Sequence, residues 1–191
     1  MKIGVLALQG AFIEHIRILR QLGVEAASIR LPRELDSLDG LIIPGGESTT
    51  ILNLMRSFDF FQPLKELVRA GLPIWGTCAG LICLARKISN CNMETLSVMD
   101  ITVRRNAFGR QIDSFETELK VPILGDKPFP AVFIRAPIIE QADPEVEILA
   151  KLPGGTAVVA QQGKLVVSAF HPELSHDLRF HDYFVKIVAS H

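Results

Sequence analysis

An apolar run that ends in Gly-x-Cys-x-Gly is the feature that most constrains the fold of this chain. The run reads Ile74-Trp75-Gly76-Thr77-Cys78-Ala79-Gly80, and a second apolar stretch at 81–84 follows it at once. Small residues two positions before and after a nucleophile permit the sharp strand-to-helix turn called a nucleophile elbow. A cysteine there lies at a helix N-terminus, where free N–H groups and the helix dipole favour a thiolate. The motif therefore predicts that Cys78 is a nucleophile at the end of a buried strand.

Strand-like and helix-like patterns alternate through the first half of the chain. Short apolar runs predict strands at 2–8, 24–30, 38–44 and 74–77. Helical spacings, caps and glycine stops predict helices at 11–22, 60–70 and 79–87, and one more that Ser48 or Thr49 would cap. Such alternation is typical of a parallel sheet covered by helices on both faces.

Strands dominate the second half of the chain. Strand-like runs joined by Gly, Pro and Asp turns lie at 96–104, 115–121, 131–135, 145–150, 156–160 and 164–170. A final amphipathic helix is expected at about 176–189. The chain has 191 residues, which suits a single core, and no segment reads as a linker or a repeat. We therefore expect one α/β domain covering residues 1–191.

The composition excludes several classes of function. The formal net charge of −1 gives no basic field for nucleic acid or an anionic membrane. No apolar run approaches the ~20 residues of a transmembrane helix, and the first residues lack a signal peptide, so a cytoplasmic location is expected. The three cysteines are an odd number, which argues against a disulfide framework, and no Cys/His spacing typical of zinc occurs. Cys83, in an apolar run, is predicted to be a buried core residue, and Cys91 an incidental loop thiol.

A nucleophilic cysteine needs a base and a group that orients the base. Among the five histidines, His171 follows an apolar strand, and open α/β sheets place their sites at such strand ends. Pro172 keeps His171 extended, so Glu173, two residues along, faces the same side and can fix its tautomer. The residues alone leave open a second interpretation, a structural histidine beside a surface carboxylate. A structural or surface role is favoured for the other four: His15, His176, His181 and His191.

A glycine-rich loop, Pro44-Gly45-Gly46-Glu47, follows another predicted strand. It is not a phosphate-binding P-loop, because the Gly-Lys-Ser/Thr ending is missing. Consecutive glycines at a strand end can aim backbone N–H groups at a developing anion, so the amides of Gly46 and Ala79 are candidates for an oxyanion hole. A tight turn before a capped helix is the alternative interpretation.

Together these motifs resemble those of the class I, or triad, glutamine amidotransferases, and within them the glutaminase subunits of pyridoxal 5′-phosphate synthases. The cysteine elbow and the His-Pro-Glu motif are common to triad amidotransferases. The segments that select the subgroup are Gln9-Gly10-Ala11, Arg105-Asn106-Ala107-Phe108-Gly109-Arg110-Gln111 and Phe133-Ile134-Arg135-Ala136-Pro137. With Pro44–Thr50, Asp113–Glu116 and Phe170–Leu174, the resemblance spans nearly the whole chain.

The resemblance implies both a fold and a set of site residues. The fold is a three-layer flavodoxin-like sandwich, with a mostly parallel central sheet, helices on both faces and extra antiparallel strands. Cys78 would be the nucleophile, His171 the general base and then acid, and Glu173 the residue that orients His171. The remaining implied residues are Gly46 and Ala79 in the oxyanion hole, Gly45, Gly46, Glu47, Arg105, Ile134 and Arg135 in contact with glutamine, and Gln9 near the oxyanion region as a candidate for activation.

The resemblance also implies how the product is used. L-glutamine would be hydrolysed through a glutamyl thioester, and the ammonia would pass to a (β/α)₈-barrel synthase subunit that makes pyridoxal 5′-phosphate, with up to twelve copies of each subunit. The glutaminase would be largely silent until that partner docks. Pyridoxal phosphate is then a product, and no cofactor or metal is expected in this chain. Two alternatives stay open: a glutaminase that feeds another acceptor, such as that of the histidine pathway, and a non-enzymatic regulatory module.

Overall fold

The computed structural model describes residues 1–108 and 114–190. The strands in these ranges are Lys2–Leu6 (β1), Glu25–Ile29 (β2), Gly40–Ile43 (β3), Ile74–Thr77 (β4), Ala85–Ile88 (β5), Met99–Arg104 (β6), Ser114–Leu119 (β7), Phe129–Ile134 (β8), Ile138–Ala142 (β9), Glu147–Lys151 (β10), Ala157–Gln162 (β11) and Leu165–Ser168 (β12). The helices are Phe12–Gln21 (α1), Ser48–Ser57 (α2), Phe61–Arg69 (α3), Ala79–Leu84 (α4) and Arg179–Ala189 (α5). The motif residues 109–111 and 113, and His191, lie outside the described residues.

Ten of these strands form one large sheet. Its order is β2-β1-β3-β4-β12-β11-β9-β6-β5, with β10 paired to β11, while β7 and β8 form a separate antiparallel pair. The pairs from β2 through β12 are all parallel, and β11 joins β12, β9 and β10 in antiparallel fashion. The order β2-β1-β3-β4 is the flavodoxin-like one. The predicted α/β fold, with a mostly parallel sheet and extra antiparallel strands, is confirmed.

Two neighbouring residues of β4 identify the helices on each face of the sheet, because successive strand residues point to opposite sides. The Trp75 ring stacks on Phe180 of α5, with centroids 5.8 Å apart, and meets the His15 ring of α1 edge-on at 5.7 Å. Gly76 faces α4, since a Cβ at Gly76 would lie 2.5 Å from the Gly80 backbone. Helices therefore cover both faces of the sheet.

The prediction of a helix over 79–87 is wrong at its C-terminal end. Helix α4 ends at Leu84, and the chain continues directly as β5, which pairs in parallel with β6 at the far edge of the sheet. The carbonyls of Cys83 and Leu84 accept hydrogen bonds from the N–H groups of Leu96 and Val98, at 2.9 and 3.1 Å. A returning segment thus satisfies the last carbonyls of the helix, and the helix stops there.

Two further differences concern the second half of the chain. Strand β9 was not predicted, because its central residues Glu140 and Gln141 are polar and interrupt the apolar pattern. The last helix begins at Arg179 rather than near 176, since the Asp177 carboxylate accepts from the Arg179 N–H and holds a turn before the helix. The helices described here contain from six to 11 residues, and none is long and apolar enough to cross a membrane.

Candidate active site

Cys78 lies on a strained strand-to-helix turn between β4 and α4. Its backbone has φ 48° and ψ −99°, in the left-handed region that a non-glycine residue rarely adopts. Glycine is required on both sides of Cys78 because other backbone segments pass close to these two positions. A Cβ at Gly80 would lie 2.0 Å from the Ile43 carbonyl oxygen, and one at Gly76 would collide with the Gly80 backbone. Backbone strain of this kind is concentrated at functional sites. The turn has the geometry of the elbow that the sequence predicts.

The sheet brings His171 to Cys78 although the two residues are far apart in the chain. Strand β12 pairs in parallel with β4, so Ser168 lies opposite Thr77, and the Cys78 N–H donates to the Ser168 carbonyl at 2.8 Å. His171 follows three residues later, where its own N–H donates to the Val132 carbonyl of β8 at 2.8 Å. Cys78 and His171 therefore emerge from adjacent strand ends and line one pocket of about 510 Å³.

Glu173 holds the His171 ring through the ring nitrogen Nδ1. His171 Nδ1 lies 2.7 Å from Glu173 Oε1, and the Glu173 side chain is buried. A ring that donates from Nδ1 has Nε2 free for the cysteine. Burial disfavours the imidazolium, but the hydrogen bonds and charges of Cys78 and Glu173 outweigh it and raise the pKa of His171 to about 10. The arrangement favours a protonated His171 ring beside Cys78.

The pocket collects most of the other residues that the sequence singled out. Gly45 lies against the catalytic side chains: a Cβ there would be 2.4 Å from His171 Cε1 and 3.3 Å from the Cys78 Cβ. Two lining residues, Asn106 and Arg135, also have left-handed backbones, with φ 48° and 43°. The predicted residues that line the pocket are Gly46, Glu47, Cys78, Ala79, Arg105, Ile134, Arg135 and His171. Lining residues given no part in the site from the sequence are Ser48, Ile82, Asn106 and Ser114, of which all but Ile82 lie inside the family motifs.

The glycine loop is tied to the segment that follows β1. The Ala11 N–H donates to the Gly45 carbonyl at 3.0 Å, and the Glu47 N–H donates to the side-chain oxygen Oε1 of Gln9 at 2.8 Å. Gly10 allows this approach, because a Cβ there would lie 2.0 Å from the Gly45 oxygen. Gln9 thus fixes the peptide between Gly46 and Glu47, which directly follows the Gly46 N–H that is a candidate for the oxyanion hole.

Glu47, rather than Ser48 or Thr49, caps helix α2, which corrects the sequence prediction. Its carboxylate accepts hydrogen bonds from the N–H groups of Thr49 and Thr50, at 3.0 and 2.7 Å. Partial burial opposes ionisation, but these hydrogen bonds dominate and lower the pKa of Glu47 to about 2. Glu47 Oε1 is also 3.2 Å from Arg105 Nη2. The two charged side chains expected to contact glutamine therefore form an ion pair with each other in this structure.

Arg105 is held by a loop to which the sequence assigned no function. The Asn90 side chain brackets the Arg105 backbone, accepting from its N–H at 3.1 Å and donating to its carbonyl at 2.9 Å. Arg105 Nη1 also donates to Cys91 Sγ at 3.8 Å, so the Cys91 thiol touches a pocket residue. Cys83 is buried in the core, as predicted, and burial together with the charge of Glu47 raises its pKa to about 12. No local sequence signal distinguishes Asn90 from an ordinary loop asparagine.

A larger depression, of about 710 Å³, lies along residues 86–97 but contains none of the predicted catalytic side chains. Within residues 1–108 and 114–190, no group of three or more His, Cys, Asp or Glu side chains is arranged to hold a metal ion. The chemistry of the described chain therefore centres on the pocket at Cys78.

Comparison with known sequences places the chain in a family. A family model described as the SNO glutamine amidotransferase family matches residues 5–190. The pyridoxal 5′-phosphate synthase subunit PdxT of Dehalococcoides mccartyi is 60% identical over 189 residues, which cover 98% of this chain and 97% of that protein. The protein of the same name from Herpetosiphon aurantiacus is 56% identical over 188 residues, with coverage of 97% and 99%.

Solved structures agree with the sequence comparison. A crystal structure of a glutamine amidotransferase has a TM-score of 0.92 and 46% identity, with 98% of each chain covered. The structure of PurLQS from Thermotoga maritima has a TM-score of 0.71 at 13% identity and so is similar in fold alone. These matches, which extend over nearly the full length of the chain, show that it belongs to the SNO glutamine amidotransferase family.

Proposed function

We propose that this chain is the glutaminase subunit of a pyridoxal 5′-phosphate synthase and that residues 1–191 act as one glutaminase domain. Family membership and relatives named as PdxT subunits, at 52–60% identity, support the class of activity. One observation carries the chemistry: Cys78, on a left-handed elbow, shares a pocket with His171, whose ring is bonded to the buried Glu173.

The first half of the proposed reaction transfers the glutamyl group to the enzyme. The Cys78 thiolate attacks the side-chain amide carbon of L-glutamine, and the carbonyl oxygen becomes an oxyanion facing the amides of Gly46 and Ala79. The imidazolium of His171 then gives its proton to the amide nitrogen as the C–N bond breaks. Ammonia leaves, and a glutamyl thioester on Cys78 remains.

The second half returns the enzyme to its starting state. His171, now neutral, takes a proton from water while the hydroxide adds to the thioester carbon. The tetrahedral intermediate collapses, the C–S bond breaks and glutamate leaves. Glu173 keeps the ring oriented and offsets its positive charge in both halves. The net reaction converts glutamine and water to glutamate and ammonia.

The charges in the pocket suit the zwitterionic end of glutamine. We assign the substrate ammonium to Glu47, which is ionised because its pKa is about 2, and the substrate carboxylate to Arg105. Their 3.2 Å contact then opens as the substrate inserts between them. The residues at 134 and 135 close the pocket, and Gly45 lies beneath the reacting carbon.

The partner in this proposal is a (β/α)₈-barrel pyridoxal 5′-phosphate synthase subunit, in an assembly of up to twelve copies of each chain. It receives the ammonia directly and forms pyridoxal 5′-phosphate, which is a product and not a cofactor of this chain. The hydrogen bond from the Glu47 N–H to Gln9 gives the partner a route to activation, because docking on the Gln9 segment would reorient the peptide beside the oxyanion. All three cysteines are free, which suits the cytoplasm.

Glutamate release from glutamine, measured with and without the synthase subunit, tests the proposal. The wild type should release glutamate with the partner present, and Cys78→Ala should lose essentially all turnover, because the thioester cannot form. Cys91→Ser is the matched control and should retain turnover. Folded wild-type protein that releases no glutamate in either condition, or a Cys78→Ala variant that does, would overturn the proposal.

A further inference from the structure

A cluster of buried polar side chains lies behind Glu173 and takes no part in the mechanism above. It consists of His15 on α1, His181 on α5 and Thr77 at the end of β4, and all three side chains are fully buried. Burying imidazole rings costs free energy that apolar residues of similar size do not cost. Both rings pack edge-on against Trp75, with centroids 5.7 and 4.9 Å away, but an apolar aromatic ring could make the same contacts.

The distances in this cluster form a chain that ends at the catalytic carboxylate. His181 Nε2 lies 2.9 Å from His15 Nδ1. On the other side of the ring, His15 Nε2 lies 3.4 Å from Glu173 Oε2 and 3.4 Å from Thr77 Oγ1. Thr77 directly precedes Cys78, and Glu173 orients His171. His15 therefore lies next to both the residue that precedes Cys78 and the residue that orients His171.

Glu173 needs a second donor. Its Oε1 is bonded to His171, but its Oε2 is buried and makes no hydrogen bond of standard geometry to any atom in the described ranges. A buried carboxylate oxygen left without a donor is costly. The Nε2 of His15 is a nitrogen that faces it, and catalytic contacts that are long without substrate often tighten when substrate binds.

One arrangement of protons gives Glu173 Oε2 a donor. If His15 carries its proton on Nε2, that N–H points to Glu173 Oε2, and Nδ1 accepts from the Nε2–H of His181. His181 Nδ1 then carries no proton and is an acceptor without a partner in the described chain. With the opposite tautomer, a lone pair of His15 would face the carboxylate.

Both histidines are held neutral. Burial, followed by the nearby His181 and His171, lowers the pKa of His15 well below its usual value, and burial lowers the pKa of His181 to about 3. A neutral donor satisfies Glu173 without cancelling its charge. The negative charge therefore stays available to the imidazolium of His171.

We propose that His15 is a positioning residue for Glu173 and that His181 fixes the tautomer in which His15 does this. The inference rests on the proposed glutaminase function, since it assigns His15 and His181 to the support of that triad. It extends the triad by two residues, from Glu173 through His15 to His181.

Paired substitutions test the role of each nitrogen. His15→Gln keeps a donor near the Nε2 position, whereas His15→Asn, equally polar, places its amide near Nδ1 and leaves Glu173 Oε2 without a donor. With the synthase subunit present, kcat should be at least about tenfold lower for His15→Asn than for His15→Gln. The KM for glutamine should stay within about threefold in both. His176→Gln, at an exposed histidine, is the control and should leave kcat unchanged.

Each result supports or overturns the inference. Equal kcat values for the two His15 variants, or an effect on KM alone, would overturn it. A residue that acts only by packing would give the same kcat wherever its hydrogen-bond donor lies. If either His15 variant fails to fold, the pair His181→Gln and His181→Asn decides in the same way. Failure of the glutaminase proposal itself looks different: wild-type turnover would then be absent or would survive Cys78→Ala.

Discussion

A methyl group added at Gly45 should disable the triad while leaving the fold in place. The Cβ of Gly45→Ala would lie 2.4 Å from His171 Cε1 and 2.8 Å from Nδ1, whereas ordinary contacts begin at 3.4 Å. The ring or the loop must therefore move by about 1 Å. A displacement of this size at a catalytic group costs about 100-fold in rate. We expect kcat for glutamine hydrolysis, measured at saturating glutamine with the synthase subunit, to fall about 100-fold.

Gly40→Ala is the matched control for this prediction. Its Cβ would lie 2.6 Å from Val188 Cγ2, so the crowding is similar, but it falls between β3 and α5 and away from the pocket. Both variants should lose about 1–3 kcal/mol in the free energy of unfolding, measured by urea titration. Only Gly45→Ala should lose kcat. A folded Gly45→Ala protein whose kcat is within about threefold of wild type would refute the geometry assigned to His171.

Three other predictions concern the charge of His171, the pH dependence of stability and the affinity for substrate. Cys78→Ser removes the sulfur whose hydrogen bond and charge help raise the pKa of His171 to about 10, so an NMR titration of the His171 ring should find a lower pKa; an unchanged value would contradict the interaction between the two side chains. The raised pKa of His171 means that its protonated form stabilises the fold. This contribution to the free energy of unfolding is complete below pH 6.5 and is lost as the pH rises toward 10, and urea titrations across that range should show the loss. Asn90→Ala removes both hydrogen bonds to the Arg105 backbone and should raise the KM for glutamine about tenfold with little change in kcat. Asn92→Ala, at an exposed neighbour, should leave the KM unchanged. A normal KM in Asn90→Ala would count against the role of Arg105.

The sequence predicted those parts of the site that depend on local geometry. The elbow at Cys78 follows from glycines at fixed offsets. The contact between His171 and Glu173 was predicted correctly but for the wrong reason, because Pro172–Leu174 is a 3₁₀ turn and not an extended segment. The parallel sheet follows from the alternation of strands and helices. Each of these features is determined by residues close together in the chain.

Features that depend on distant segments were not predicted. The end of α4 is fixed by hydrogen bonds from a returning segment at 96–98. The cap of α2 is a local exception, because Ser48 and Thr49, next to Glu47, are equally good capping residues by sequence. His15 and His181 were assigned structural or surface roles because each lies on a separate helix. Their 2.9 Å contact exists only when α1 and α5 pack on the same face of the sheet.

Labelling with a glutamine analogue that carries an electrophilic side chain tests the central claim most directly. The chain offers three free thiols, of which Cys83 is buried with a pKa raised to about 12, and Cys91 lies beside Arg105. We expect peptide mass spectrometry of the complex with the synthase subunit to find one label, on Cys78, and His171→Ala to slow its appearance. A label on Cys83 or Cys91 with Cys78 unmodified would contradict the assignment of Cys78 as the nucleophile of a glutamine site.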